Sequence, residues 1–253
     1  MALTAKSLIL YGLEVTTSNR SIDFKTSGGG AELQATLTLG YYSLTDLMSE
    51  IKTQMQAADP YNTYTVTADR TISGGTQNRV TISTSGSYLS LLFGSGTRAA
   101  STVAPLIGFT STDKTGATTY TGTSTCGTAL TSTLTGYNWI PPEMNQKVFG
   151  SLNISTTGIK EAIVFQIQKF FSVQFKYEPK SYVINSWLPF WQWSIQQRAF
   201  EFTPEVTSPS AFYNCTLEKT GADSKGLGFA WKEQLPDFPN LYDSGLITFR
   251  VKV

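Results

Sequence analysis

Glu201 and Glu205 flank the tripeptide Phe202-Thr203-Pro204, and Asp237 and Asp243 stand in later turn-like segments. Carboxylate pairs are what glycosidic bond hydrolysis requires, one as acid and one as base or nucleophile. The required separation is spatial, however, and a chain with 18 acidic residues offers many such pairs. Nothing distinguishes these four from solvated or capping acids. The run Gly94-Ser95-Gly96-Thr97-Arg98-Ala99 matches G-x-G-x-x-A after a short apolar stretch. A dinucleotide fingerprint also needs a βαβ unit and an acidic residue about twenty positions on. Here Pro105 and a Thr/Gly-rich stretch follow, so the run reads as a turn. The chain has no histidine, which removes Ser-His-Asp and Cys-His nucleophiles, H-E-x-x-H zinc sites and facial triads. Cys126 and Cys215 form no C-x-x-C pair and are read as two free thiols. Asp23, Asp69 and Asp113 are too scattered for a calcium loop. Asn153-Ile154-Ser155 and Asn214-Cys215-Thr216 fit the glycosylation pattern by chance in a Ser/Thr-rich chain. No catalytic, cofactor-binding or metal-ligating residue is expected, and the chain reads as a non-enzyme.

Composition points the same way. Of 253 residues, 15% are charged and 13% aromatic, sparse charge with abundant aromatics and β-branched residues, as in sheet proteins whose surfaces are buried in assemblies. Net charge is +1 with no Lys/Arg run, so nucleic-acid binding is not expected. The apolar runs are too short to span a bilayer, so neither is membrane insertion. Met1–Lys6 lacks a signal-peptide pattern, and synthesis in a cytoplasm is expected.

The elements that must position any site fall into two modules, 1–125 and 126–253. The first is built around a helix over 43–57. Leu44, Leu47, Met48, Ile51 and Met55 recur at spacings of three and four, Ser43 is an N-cap with Asp46 three residues on, and Asp59-Pro60 stops the helix. A helix this short must lie on something. The candidates are the flanking strands: Ile22–Phe24 and Leu33–Leu39 across the Gly28–Gly30 turn, then Tyr64–Ala68 and Arg79–Thr84. Residues 110–135, rich in Thr, Ser and Gly, read as extended loop.

The second module has the cleanest periodicity. Over 162–176, Ile163, Phe165, Ile167, Phe171, Val173 and Phe175 share one parity against Gln166, Gln168, Ser172, Gln174 and Lys176. That predicts a long strand with one apolar face, bent within a barrel or reaching a neighbouring subunit. Residues 246–253 alternate equally well and should be tied into a sheet. Between them lies the cluster Trp187-Leu188-Pro189-Phe190-Trp191-Gln192-Trp193, which fits core packing, a subunit contact or carbohydrate stacking. The expected fold is mainly β with one short helix (α+β), as β-sandwich or barrel-like sheets in two modules.

The succession Asn19, Ile22-Asp23-Phe24, Ala35-Thr36-Leu37, Gly40-Tyr41, the short helix, Tyr64–Thr67, Leu91–Phe93, Leu106–Phe109, Asp113–Gly116 and Tyr120-Thr121 resembles a module of virion structural proteins. Tailed bacteriophages carry it in tail and baseplate components. The Trp-rich segment followed by Phe200-Glu201-Phe202-Thr203-Pro204 is similar to distal tail and tail-tube-associated proteins. The resemblance implies a ring-forming virion component that contacts other phage tail proteins. It implies a homo-oligomer, a hexameric ring or alternatively a trimer. The long strand and the aromatic cluster supply the candidate subunit-interface residues Phe165, Ile167, Trp187, Phe190, Trp191 and Trp193. A fibre or glycan-binding module for host recognition is the rival reading, and an envelope polysaccharide hydrolase the third.

Overall fold

A computed structural model describes residues 7–70, 77–131, 143–154, 160–204, 212–220, 227–229, 231–233 and 240–252. Helix α1 spans Leu44–Ala58, starting where the Ser43 hydroxyl accepts the Asp46 N–H at 3.1 Å. It ends at Asp59, whose N–H reaches Met55 O and whose carboxylate accepts from Tyr61 N, Asn62 Nδ2 and Tyr64 Oη. Leu44, Leu47, Ile51 and Met55 are fully buried, each worth roughly 1.5–3 kcal/mol in apolar transfer. They pack with Ile22, Phe24, Ala35, Tyr64, Val80 and Ile82. The expected hairpins are present: Ser21–Lys25 pairs with Leu33–Thr36, and Tyr64–Ala68 with Val80–Thr84, both antiparallel.

The largest sheet has seven strands, all antiparallel, in the order Thr128–Thr131, Leu8–Tyr11, Phe200–Thr203, Tyr213–Lys219, Leu246–Val251, Lys160–Gln174, Glu143–Ile154. Residues 12–127 leave and re-enter it at one point, because Leu8–Tyr11 pairs with Thr128–Thr131, Tyr11 opposite Thr128. Gly12 makes the exit at φ +86°, a left-handed conformation that suits glycine. Beyond it Leu13–Val15 joins a different strand, Gly40–Tyr42. The first strand serves two cores, since successive side chains of a strand point to opposite faces. Leu10 belongs to the core around α1, whereas Ile9 and Tyr11 belong to the aromatic core of the second half with Phe171, Phe200, Phe202 and Phe249.

Three expectations are corrected. Among the described residues the sheets are open and do not close into a sandwich or barrel. Helix α1 packs in the first core, and Trp187 and Phe190 from the 180–194 segment pack in the second. Residues 180–194 are a second helical segment where one helix was expected: an α turn Lys180–Tyr182, a π turn Val183–Trp187 and a helix Leu188–Ser194. Its buried residues Val183, Trp187, Phe190 and Ser194 have helical spacing. Pro189 hides it, because a proline inside a helix lacks the N–H and crowds the carbonyl four residues back. The π turn, where Leu188 N reaches Val183 O, widens the segment just before that proline. Finally, the stretch read as loop holds strands at Lys114–Ala117, Thr119–Thr121 and Thr128–Thr131.

Candidate functional site

The predicted long strand runs over Lys160–Gln174. It pairs along its length with Glu143–Ile154, but with Leu246–Val251 only from Phe170 to Gln174. The remainder is therefore a two-stranded arm that projects past the sheet. Gln168 anchors its base, with Nε2 donating to Val251 O at 2.5 Å. Beyond that point the ribbon carries apolar side chains without cover. Phe165 is 72% exposed, Val148 57% and Ile167 48%, and Phe149, Ile154, Ile163 and Val164 are exposed as well.

A β-bulge sits in the arm. Phe149 opposes Gln166 and Gly150 opposes Val164, leaving Phe165 without a partner residue. A bulge bends the strand and re-aims its side chains. Gly150 permits the close approach, since a Cβ there would lie 2.3 Å from Ile163 O. Below Gln168 the predicted alternation holds, with Phe171, Val173 and Phe175 buried. Above it, Ile163, Val164, Phe165 and Gln166 are all exposed whatever their parity. The apolar periodicity of the strand thus continues from a covered face onto an uncovered one.

The aromatic candidates sit elsewhere. Trp187, 2% exposed, and Phe190, 1% exposed, lie in the core. The Trp187 ring stands 4.5 Å from Phe175 and 5.4 Å from Phe190, which contacts Tyr11, Phe200 and Phe249. Trp191 is half-buried, its Nε1 donating to Leu227 O at 2.7 Å. Trp193 meets Tyr41 edge-on at 5.3 Å, and the Arg198 guanidinium lies over both rings at 4.7 and 4.1 Å. The cavity lined by Trp187, Phe190, Trp191, Phe229 and Trp231 has about 10 Å³ of free space, enough for about one water molecule and too little for a sugar ring. Phe165 and Ile167 on one side and the Trp187–Trp193 cluster on the other are therefore separate features.

The residues with chemical potential are already engaged. Glu201 is buried, ion-paired with Arg70, and accepts from Thr45 Oγ1 at 2.8 Å. Burial raises its pKa against the opposing effect of Arg70. Glu205 and Asp237 lie outside the described residues. Asp243 accepts from Gln174 Nε2 and from Gly245 N. In the glycine run, the Gly94 and Ser95 amides that would face a phosphate donate to Asp113 at 2.8 and 3.0 Å. Arg98 is bound to Asp23, Thr36 and Ala35 O. Cys126 and Cys215 are free and buried, and burial pushes the Cys126 thiol up to about 12, far from a reactive thiolate. Among the described residues, no group of three or more Asp, Glu or Cys could hold a metal ion. Among them also, no helix is long and apolar enough to cross a membrane. The sequence could not have shown the open end of the arm, because the same alternation suits a strand covered along its whole length.

No protein-family model and no curated protein matches the chain.

Proposed function

We propose that the chain is a structural component of a tailed-bacteriophage virion, made in the host cytoplasm. In this reading it is a ring-forming tail protein of the distal-tail, baseplate or tail-tube type that acts by self-assembly and by contacts with neighbouring tail proteins. The supporting observation is the projecting arm. Monomeric proteins rarely expose contiguous apolar patches beyond a few hundred Å², and here Val148, Phe149, Ile163, Val164, Phe165 and Ile167 are exposed on one ribbon. A chain with only 15% charged residues fits a protein whose surface is covered in an assembly. The rival reading, glycan recognition, calls for open aromatic faces at Trp187–Trp193, and those of Trp187 and Phe190 are used in the core.

The test is the mass of the purified protein by light scattering, with negative-stain images of the same peak. Closed rings at a multiple of 27.7 kDa are expected. A monodisperse monomer at all concentrations removes the self-assembling reading.

A further inference from the structure

Among the described residues, no strand pairs with the outer edge of Thr128–Thr131 or with that of Glu143–Ile154, the two ends of the seven-stranded sheet. An open edge presents a row of unpaired N–H and C=O groups, and single chains usually blunt it with charge, proline or cover. The Thr128–Thr131 edge has neither charge nor proline, and Thr128 and Ala129 are exposed. At the other end Met144, Val148, Phe149, Ile154, Ile163, Val164, Phe165 and Ile167 are each 42–72% exposed. Side chains of this size together offer on the order of 700 Å², close to the roughly 800 Å² that one partner contributes to a standard interface.

A second copy of this chain supplies the missing partner for both edges at once. Pairing the arm of one copy with the arm of another would be isologous. It would stop at a dimer and leave both Thr128–Thr131 edges open. Pairing the arm with the opposite edge is heterologous, satisfies both ends in every copy, and closes when the rotation per subunit divides a full turn. We propose that the outer edge of Glu143–Ile154 in one copy pairs with Thr128–Thr131 of the next, so that the sheet runs on from subunit to subunit. This rests on the ring-forming reading and specifies its joint.

Because Cys126 and Cys215 are buried and free, new cysteines on the two edges report on this contact alone. Ala129→Cys is combined in turn with Asn145→Cys, Gln146→Cys and Val148→Cys in the full chain, oxidised mildly and run on a non-reducing gel. At least one double variant should give a covalent ladder beyond the dimer, while each single variant stays monomeric on the gel. Dimers from Val148→Cys or Gln146→Cys alone would show arm-to-arm pairing and overturn the proposal. So would an absence of ladders from all three double variants. Light scattering on the unoxidised samples separates the two failures. Oligomers without ladders discard the edge pairing and keep the ring-forming reading, whereas monomers throughout discard both.

Discussion

Arg70 and Glu201, 131 residues apart, form a buried ion pair that joins the α1 half of the molecule to the middle of the large sheet. Phe200 and Phe202 on either side turn into the aromatic core, so Glu201 faces the other way, toward α1. Thr45 on α1 donates to its second oxygen, and Asn214 Nδ2 donates to Asp46 Oδ1 at 2.9 Å on the same helix. Burial drives both charges toward neutrality, lowering the pKa of Arg70 and raising that of Glu201, and each opposes the shift in the other. Arg70→Met strands a buried carboxylate and should cost about 3–5 kcal/mol. Arg70→Met with Glu201→Met should lie closer to wild type than the single change. Because the carboxyl pKa is raised in the folded state, the single variant's deficit should grow as pH rises through the carboxylate range. Urea melts at several pH values check both points.

Helix α1 offers a sharper contrast between adjacent positions. Ile51 is fully buried against the first core, while Glu50 lies off that face and accepts from Thr38 N at 2.8 Å and Gln54 Nε2 at 3.1 Å. Ile51→Asp should cost at least about 3 kcal/mol, since an unpaired charge enters an apolar site. Glu50→Gln keeps an acceptor oxygen and should cost no more than about 1 kcal/mol. Denaturant midpoints of the two variants, measured side by side, decide it.

That helix was also the most legible part of the chain. The Ser43 cap, the spacing of Leu44, Leu47, Ile51 and Met55, and the Asp59-Pro60 stop are local signals, and local signals survive in sequence. Asp46 shows the limit: it occupies a capping-box position, yet its carboxylate serves Asn214, a partner 168 residues away. The segment 180–194 is hidden in the sequence because Pro189 breaks the apparent rule for helices, and the π turn before it has no sequence signature. The strands in 114–131 are masked by composition, because Thr is a strand former that stands there among the loop residues Ser and Gly. Thr81 Oγ1 and Thr121 Oγ1, 2.8 Å apart, show those threonines at work across a strand pair. Sheet closure was not legible at all. Alternation tells which side of a strand is apolar, and not whether the last strand finds a neighbour.

Glu178 gives the protein a pH dependence of its own. It is 1% exposed, and burial alone pushes its carboxyl up from 4.5 to about 7. It enters the small strand Glu178–Pro179, opposite Tyr242, directly after Tyr177 at φ +59°. The charge it would carry helps to raise the Tyr182 phenol, behind the larger effect of that residue's own burial. A carboxyl whose pKa is higher folded than unfolded binds its proton more tightly in the native state. Its stabilising effect is full below 4.5 and is lost as pH rises through about 7. Glu178→Gln should flatten that part of the melting-temperature profile and leave the smaller slope due to Glu201. An unchanged slope would place the titration elsewhere.

Phe165 and Phe190 are the same residue type, and they should fail in opposite ways. Phe190 is 1% exposed and lies 5.0 Å from Phe200 and 5.4 Å from Tyr11 in the aromatic core. Phe190→Ala should therefore cost about 3–5 kcal/mol through lost transfer energy and the cavity left behind. Phe165 stands unpaired on the bulge at 72% exposure, so Phe165→Ser should leave the melting temperature of the dilute monomer within about 2 °C, given changes near 0.5 kcal/mol at surface sites. In the ring-forming reading proposed above, assembly should respond in reverse. The concentration at which Phe165→Ser oligomerises should rise about tenfold or more, because an exposed aromatic that anchors a contact contributes at least about 1.4 kcal/mol to it. Phe190→Ala, examined below its melting temperature, should assemble at nearly the wild-type concentration. If Phe165→Ser instead melts early and assembles normally, the arm is part of the monomer's own packing and the proposed contact through the arm is wrong.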